Sequence, residues 1–278
     1  MLWCGGRAVA RNPQGDGNRR RISGSRPEMR VALHHTSEVA LRAGRVLLAE
    51  RDLITLGVID KDTPSSDRRV ERAGDLAAYD AVLTDAEDEM LVDVVERAAA
   101  AGVSCVVWAD ADDLAGHDAF AETTLLLGSN VARGLAPCLA AHEAALLPEE
   151  TDRMIAWTEP GRPLRRGEAI SFPEPVGTHW AERRDDRGPG DHFAAPIEGD
   201  WAGALAKVTA DSGVGTVTNI VGIADLAVHI EALALAAGAI IVARSEFPHG
   251  VHRATAAAEP YLLAALRAGL DVAVHRSV

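Results

Sequence analysis

The stretch that decides the fold is residues 30–60, RVALHHTSEVALRAGRVLLAERDLITLGVID. Its first residues form a short apolar run typical of a strand, and Ser37 is a plausible N-cap for the helical pattern that follows. Residues 53–59, LITLGVI, are almost continuously apolar, as in a strand that is covered on both faces of its sheet. The stretch therefore predicts a strand, a helix and a second strand parallel to the first.

The same alternation continues through the first half of the chain. Further strands are predicted at residues 81–83, 103–108 and 123–127, and further helices at residues 90–101 and 131–147. Strands that alternate with helices favour a parallel sheet, and right-handed connections give a doubly wound, three-layer domain. We predict a Rossmann-like, nucleotide-binding α/β domain over residues 29–150.

The second half of the chain follows a different pattern. Extended runs joined by Gly- and Pro-containing turns predict strands at residues 154–157, 169–172, 192–197, 202–209 and 216–223. A long helix is predicted at residues 225–242, with Leu226, Ile230, Leu233 and Ala237 on one face, and a last helix at residues 256–268. We predict a second, α+β domain over residues 151–278, with an open mixed or antiparallel sheet for substrate binding and dimerisation.

Residues 1–28 differ from the rest of the sequence. They are rich in Arg and Gly, contain almost no acidic residue and lack hydrophobic periodicity. We predict a disordered extension here, and Met29, directly before the first strand, is the preferred functional start.

Composition limits the partners of this chain. Its 278 residues carry a formal net charge of -13, which argues against nucleic acid or an anionic membrane surface as a partner. No apolar run approaches the length of about 20 residues that a membrane span needs. The scattered cysteines Cys4, Cys105 and Cys138 predict neither a disulfide framework nor a metal site, and they are typical of a reducing compartment. We predict a cytoplasmic protein that forms homo-oligomers, because an open sheet must cover its apolar face.

The turn after the first strand bears on cofactor binding. It reads HHTSE at residues 34–38 and has no glycine, whereas dinucleotide-binding domains carry a Gly-rich turn there. Glu38 lies in the first helical turn, where it repels a phosphate. Two interpretations stay open: Thr36 and Ser37 hold a phosphate with a protonated neighbouring histidine, or dinucleotide binding is absent.

Charged residues after the next strands are the other cofactor candidates. Asp60 ends the second strand, where a carboxylate bonds a ribose 2′-hydroxyl and favours NAD. Lys61 and Arg68 in the following loop favour the 2′-phosphate of NADP instead. Asp85 follows the third predicted strand at the same edge of the sheet. The sequence leaves NAD and NADP open, and solvated loop charges remain the alternative.

Substrate candidates come from three places. Ser129 and Asn130 open a helix after a strand, where they touch a substrate or cap the helix. Arg162 and Arg166 belong to a small basic cluster suited to a carboxylate or phosphate, or to a solvated hairpin tip. His179, in a loop rich in Pro and Gly, is a candidate general acid, with loop packing as the alternative.

The order of elements over residues 30–278 resembles that of NAD(P)-binding oxidoreductases of the dihydrodipicolinate reductase and Gfo/Idh/MocA groups. Residues 175–179, PVGTH, are similar to the P-S-G-T loop of the reductases, and residues 128–130, GSN, occupy the place of their Asn-containing turn. The sequence departs from these groups in having no glycine fingerprint, no lysine between residues 160 and 180, and no E-K-P motif. The resemblance implies a Rossmann domain, an open-sheet second domain, and NAD or NADP as cofactor.

Two hypotheses about function follow. The first is an NAD(P)-dependent oxidoreductase that acts on a small anionic metabolite, with Arg162 or Arg166 as the anion clamp and His179 as the proton donor. The second is a non-catalytic protein for ligand sensing or assembly, which keeps the fold but has lost dinucleotide binding.

Overall fold

The computed structural model describes residues 28–34, 37–59, 65–147, 152–158, 169–170, 183–184, 193–194, 201–211, 213 and 215–277. The predicted extension falls almost entirely on residues 1–27, outside this set, and stays a prediction. In the part of the chain that the structure describes, no helix has the length and apolarity needed to cross a membrane.

The described elements comprise fourteen strands and five α-helices. The strands are β1 (Met29–His34), β2 (Leu53–Val58), β3 (Val70–Arg72), β4 (Ala81–Thr84), β5 (Ser104–Val107), β6 (Thr124–Leu127), β7 (Asp152–Trp157), β8 (Ala169–Ile170), β9 (Arg183–Arg184), β10 (Phe193–Ala194), β11 (Trp201–Asp211), β12 (Thr216–Leu226), β13 (Gly250–Arg253) and β14 (Ala273–Ser277). The helices are α1 (Glu38–Ala49), α2 (Asp88–Ala100), α3 (Ala136–Ala145), α4 (Ala227–Ala243) and α5 (Ala258–Arg267).

Seven strands form one parallel sheet in the order β13-β6-β5-β4-β1-β2-β3. From β1 the chain moves outward to β2 and β3, and then returns to the other side of β1 with β4, β5 and β6. This is the strand order of a doubly wound Rossmann sheet, and its topological switch point lies between β1 and β4. The predicted α/β fold with parallel strands is therefore confirmed.

A second sheet has the order β14-β12-β11-β7, and all its neighbouring strands are antiparallel. β11 and β12 pair along their whole length, from Trp201 opposite Leu226 to Asp211 opposite Thr216. A short antiparallel sheet of order β10-β8-β9 accompanies it. The predicted open antiparallel sheet in the second half is confirmed.

Helix α4 corrects one prediction. Instead of one apolar face, it is buried on nearly all sides, because it packs against α1, α5 and strands of both large sheets. Leu226, predicted to begin its apolar face, lies at the end of β12 and is 44% exposed. A Cβ on Gly238 would lie 2.5 Å from Ser129 Oγ, so α4 approaches the first sheet too closely for a larger residue.

The carboxyl-terminal part of the chain returns to the first sheet. β13 pairs with β6, with Gly250 opposite Thr124 and Arg253 opposite Leu127. Next to the end of α4, the buried guanidinium of Arg244 contacts Asp52 Oδ2 at 2.7 Å and Glu50 Oε2 at 2.9 Å. Residues 227–253 thus pack with the elements of the predicted first domain. The edge strand β3, whose residues are half-buried or exposed, was not predicted from the sequence.

Candidate functional site at the switch point

The N-terminus of α1 lies at the switch point and begins with the predicted cap. Ser37 Oγ accepts a hydrogen bond from the Val39 amide at 3.1 Å, so the predicted N-cap is confirmed. A helix N-terminus placed after the first strand of a Rossmann sheet is the usual position of a dinucleotide pyrophosphate.

Asp85 already occupies that position. It follows β4, is 4% exposed, and its Oδ2 accepts three hydrogen bonds from the start of α1. The donors are Ser37 N at 3.0 Å, Ser37 Oγ at 2.6 Å and Ala40 N at 3.0 Å. The structure thus brings two predicted cofactor residues together, but they bind each other. In this arrangement the residues do not fit a pyrophosphate at its usual place, because Asp85 uses the same donors.

The ends of β1 and β4 are tied across the switch point. His34 Nδ1 lies 3.0 Å from Thr84 Oγ1, and that hydroxyl oxygen also accepts a hydrogen bond from the Ala86 amide. Thr84 is fully buried. These contacts fix the backbone on both sides of the groove between the two strands.

Trp108, directly after β5, forms the wall next to this groove. Its backbone amide donates to Thr84 O at 2.9 Å, and its indole Nε1 donates to Glu231 Oε2 at 2.8 Å. The same carboxylate oxygen accepts a hydrogen bond from the Val131 amide at 3.1 Å. Glu231, from the buried helix α4, therefore holds the indole ring in one orientation.

The pKa of Glu231 is clearly displaced. Burial raises the pKa of Glu231 to about 7, against the opposing effect of the hydrogen bonds from Trp108 and Val131, which favour the carboxylate. A carboxyl group with this pKa is present in both protonation states near neutral pH, as a proton donor or acceptor requires.

Two adjacent cavities open at this edge, with volumes of about 390 Å³ and 750 Å³. Glu87, Asp88 and Trp108 line both of them. The remaining acidic lining residues are Asp110 and Asp113 in the smaller cavity, and Asp85 and Glu89 in the larger. Among the described residues that line either cavity, none is basic, so the walls attract positive charge.

Asp88, which lines both cavities, has an unusual backbone conformation. Its φ of 53° lies in the left-handed region, which few residues other than glycine adopt. Such backbone conformations concentrate at ligand-binding sites.

Among the described residues, no three His, Cys, Asp or Glu side chains come close enough together to hold a metal ion.

Ser129 and Asn130 both have partners within the protein. Ser129 is fully buried, and its hydroxyl donates to Ala234 O at 3.0 Å and lies 3.2 Å from Tyr261 OH. Asn130 Oδ1 accepts from the Arg133 amide at 2.7 Å, which caps a π-helical turn, while Nδ2 donates to Trp108 O at 2.8 Å. Asn130 also lines the smaller cavity, so of the two residues it is the one placed near a ligand.

An ion-pair network includes Asp110, which lines the smaller cavity. Asp110, after β5, pairs with Arg133 Nε and with Arg253 Nη2, each at 2.5 Å. Arg253 also pairs with Asp112. Both arginines are thus already paired with carboxylates of the protein, Arg133 with Asp110 and Arg253 with Asp110 and Asp112.

Arg68 lies apart from this group. It precedes β3, and the neighbouring Arg69 donates to Leu48 O at 2.6 Å and Glu50 O at 3.3 Å, at the end of α1. This is the amino edge of the sheet, opposite to the carboxyl edge at which Ser37 and Asp85 lie. The other candidates, Thr36, Asp60, Lys61, Arg162, Arg166 and His179, lie outside the described residues, so their roles stay predictions.

Comparison with known proteins adds information about the fold. No protein-family model and no curated protein sequence matches this chain. Saccharopine dehydrogenase (L-Glu forming) from Saccharomyces cerevisiae is similar in structure, with a TM-score of 0.62 at 9% identity over 90% of this chain and 100% of its own. The C. glutamicum DAP dehydrogenase in complex with DAP has a TM-score of 0.57 at 14% identity, over 85% of this chain and 95% of its own.

An engineered D-amino acid dehydrogenase bound to NADP+ is also similar, with a TM-score of 0.52 at 14% identity over 85% of this chain and 96% of its own. Likeness at these identities shows the fold. The resemblance to Rossmann-type NAD(P)-binding oxidoreductases, predicted from the order of elements, is confirmed at that level.

Proposed function

We propose that this protein is a Rossmann-type oxidoreductase that acts on a small metabolite bound at the carboxyl edge of its seven-stranded sheet. One observation carries the proposal: the two cavities open at the switch point of a 3-2-1-4-5-6 sheet, where proteins of this architecture bind their ligands. The similar solved structures are dehydrogenases, which supports the same class of activity.

For the substrate, we propose a metabolite with an amino group. The sequence predicts an anionic metabolite, yet the cavity walls carry six carboxylates, which favour an ammonium group. Two of the similar enzymes are named for saccharopine and for D-amino acids, which supports an amino-acid substrate for this chain. Its carboxylate would be held by Arg162 or Arg166, as the sequence predicts.

For the hydride carrier, we propose a nicotinamide dinucleotide, NAD or NADP, that can bind only when Asp85 leaves the start of α1. Proton transfer is assigned to His179, as predicted from the sequence. Glu231 acts as a positioning residue through its hydrogen bond to Trp108. The cytoplasmic location and the homo-oligomeric state stay predictions.

The second candidate function, a ligand-sensing or assembly protein without a dinucleotide, is favoured by one specific observation. Asp85 satisfies the donors at the start of α1 without any ligand. The two functions predict different outcomes when the protein binds its small-molecule ligand. An oxidoreductase changes the oxidation state of a nicotinamide, and a sensing or assembly protein does not.

The test of the proposed function is a turnover screen of the purified full-length chain. Common L- and D-amino acids are supplied with NAD or NADP, and the absorbance of the reduced nicotinamide is followed. We expect at least one amino acid to increase the absorbance of the reduced nicotinamide. This increase should be lost in Trp108→Ala and kept in Trp201→Ala, because Trp201 lies on β11 of the second sheet. A chain that is stabilised by an amino acid without any redox change supports the sensing function instead.

A further inference from the structure

Four donors at the start of α1 are engaged by the protein itself. Ser37 N, Ser37 Oγ and Ala40 N all point at one oxygen of Asp85, and the Val39 amide points at Ser37 Oγ. In a Rossmann sheet the same backbone amides and the positive end of the helix dipole receive a phosphate oxygen. The carboxylate of Asp85 therefore stands where a phosphate oxygen would stand.

The surrounding charge reinforces this arrangement. The larger cavity, which leads to Ser37 and Asp85, is also lined by Glu87, Asp88 and Glu89. A pyrophosphate entering here would meet these carboxylates, and it would have to displace Asp85 to gain the amides of Ser37 and Ala40. Asp85 supplies both the competing acceptor and the nearest repelling charge.

We infer that Asp85 is an intramolecular substitute for the pyrophosphate, which keeps the nucleotide position of this fold closed. Phosphate ligands and the Asp85 carboxylate compete for the same donors, so the affinity of the chain for a dinucleotide is set by how readily Asp85 is displaced. The inference rests on the proposed function in one respect, namely that the ligand is a nicotinamide dinucleotide. The competition with Asp85 for the donors at the start of α1 applies to any pyrophosphate.

The variant Asp85→Asn tests the inference, since the amide keeps the size of the side chain and a hydrogen-bond acceptor but removes the charge. Asp85→Ser is a second variant in case the first does not fold. Asp85→Glu keeps the charge. Asp93→Asn removes an exposed charge of α2 at a residue that lines neither cavity. The probes are inorganic pyrophosphate, NADH and NADPH, titrated by calorimetry at constant ionic strength.

We expect Asp85→Asn to bind pyrophosphate and at least one dinucleotide roughly tenfold more tightly than the wild-type chain, or better. Asp85→Glu and Asp93→Asn should stay at the wild-type affinity. Tighter binding of pyrophosphate alone upholds the inference and counts against a dinucleotide as the cofactor.

Two results would overturn it. One is unchanged affinity of the neutral variants for all three probes, because the carboxylate would then not be the competitor. The other is weaker dinucleotide binding by Asp85→Asn than by the wild-type chain. That result would make Asp85 a direct cofactor ligand and would leave the proposed function standing.

Discussion

Trp108 Nε1 lies 2.8 Å from Glu231 Oε2, although 123 residues separate the two in the sequence. The contact joins the carboxyl end of β5 to the buried helix α4, and it sets the orientation of the ring that both cavities share. It also brings a carboxyl group with a raised pKa next to the candidate site.

Glu231→Gln should change how stability depends on pH. Because the pKa of Glu231 rises from 4.5 to about 7 on folding, the folded chain keeps a proton in this window that the unfolded chain has lost. Stability from this group is present below pH 4.5 and falls as the pH rises toward about 7, with a limiting slope of about 1.4 kcal/mol per unit. We expect less than this limit, because between these two pKa values the folded group is not fully protonated and the unfolded group is not fully ionised at the same pH.

The measurement is urea unfolding of both proteins at several pH values between about 4.5 and 7. As the pH rises, the free energy of unfolding of the wild-type chain should fall relative to that of Glu231→Gln. A pH-independent difference would mean that Glu231 titrates normally in the folded chain.

Trp108→Phe should destabilise the chain by about 1–2 kcal/mol, because it leaves the Glu231 carboxylate with one donor fewer. Trp201→Phe is the matched control, since the buried indole nitrogen of Trp201 has no hydrogen-bond partner among the described residues. Thermal unfolding at neutral pH compares the two variants. Equal losses in both would indicate that the lost ring volume, and not the hydrogen bond, accounts for the effect.

Arg244→Met should destabilise the protein by about 3–5 kcal/mol, because it leaves the mostly buried side chains of Asp52 and Glu50 without a counter-charge. Arg97→Met removes an exposed pair with Asp93 at 3.5 Å and should cost under about 0.5 kcal/mol. Equilibrium unfolding in urea measures both. A small loss in Arg244→Met would contradict the packing of α4 on the first sheet.

Gly238→Ala should destabilise the chain by about 1–3 kcal/mol through overpacking between α4 and the first sheet. Its Cβ would lie 2.5 Å from Ser129 Oγ and 2.9 Å from side-chain atoms of Leu126 and Val106. Gly74→Ala, where the new Cβ meets no atom within 4 Å, serves as control. Matching melting temperatures in the two variants would show that α4 lies further from β5 and β6.

Local sequence signals predicted most of the first sheet. Continuous apolar runs identified β1, β2, β4, β5 and β6, and the capping serine marked the start of α1. β3 escaped prediction because it has three residues, half-buried or exposed, and no apolar run. The burial of α4 on nearly all sides had a signal in the sequence, since residues 232–242 contain no polar side chain.

The site was only partly predictable. Ser37 and Asp85 were expected at the same edge of the sheet, because the carboxyl ends of neighbouring parallel strands meet there. Their direct contact depends on side-chain geometry that no sequence pattern encodes. The sequence did not predict the grouping of Trp108, Glu231 and Arg253, because long stretches of chain separate them. In addition, β13, which carries Arg253, has the sequence GVHR and lacks the pattern of a buried strand.

The most direct test of the central claim is a fluorescence titration of NADH and NADPH with the full-length wild-type chain. The account predicts a saturable, weak binding isotherm for at least one of the two dinucleotides, which disappears in Trp108→Ala. Binding of neither dinucleotide, by the wild-type chain or by Asp85→Asn, would contradict the assignment as a nicotinamide-dependent oxidoreductase.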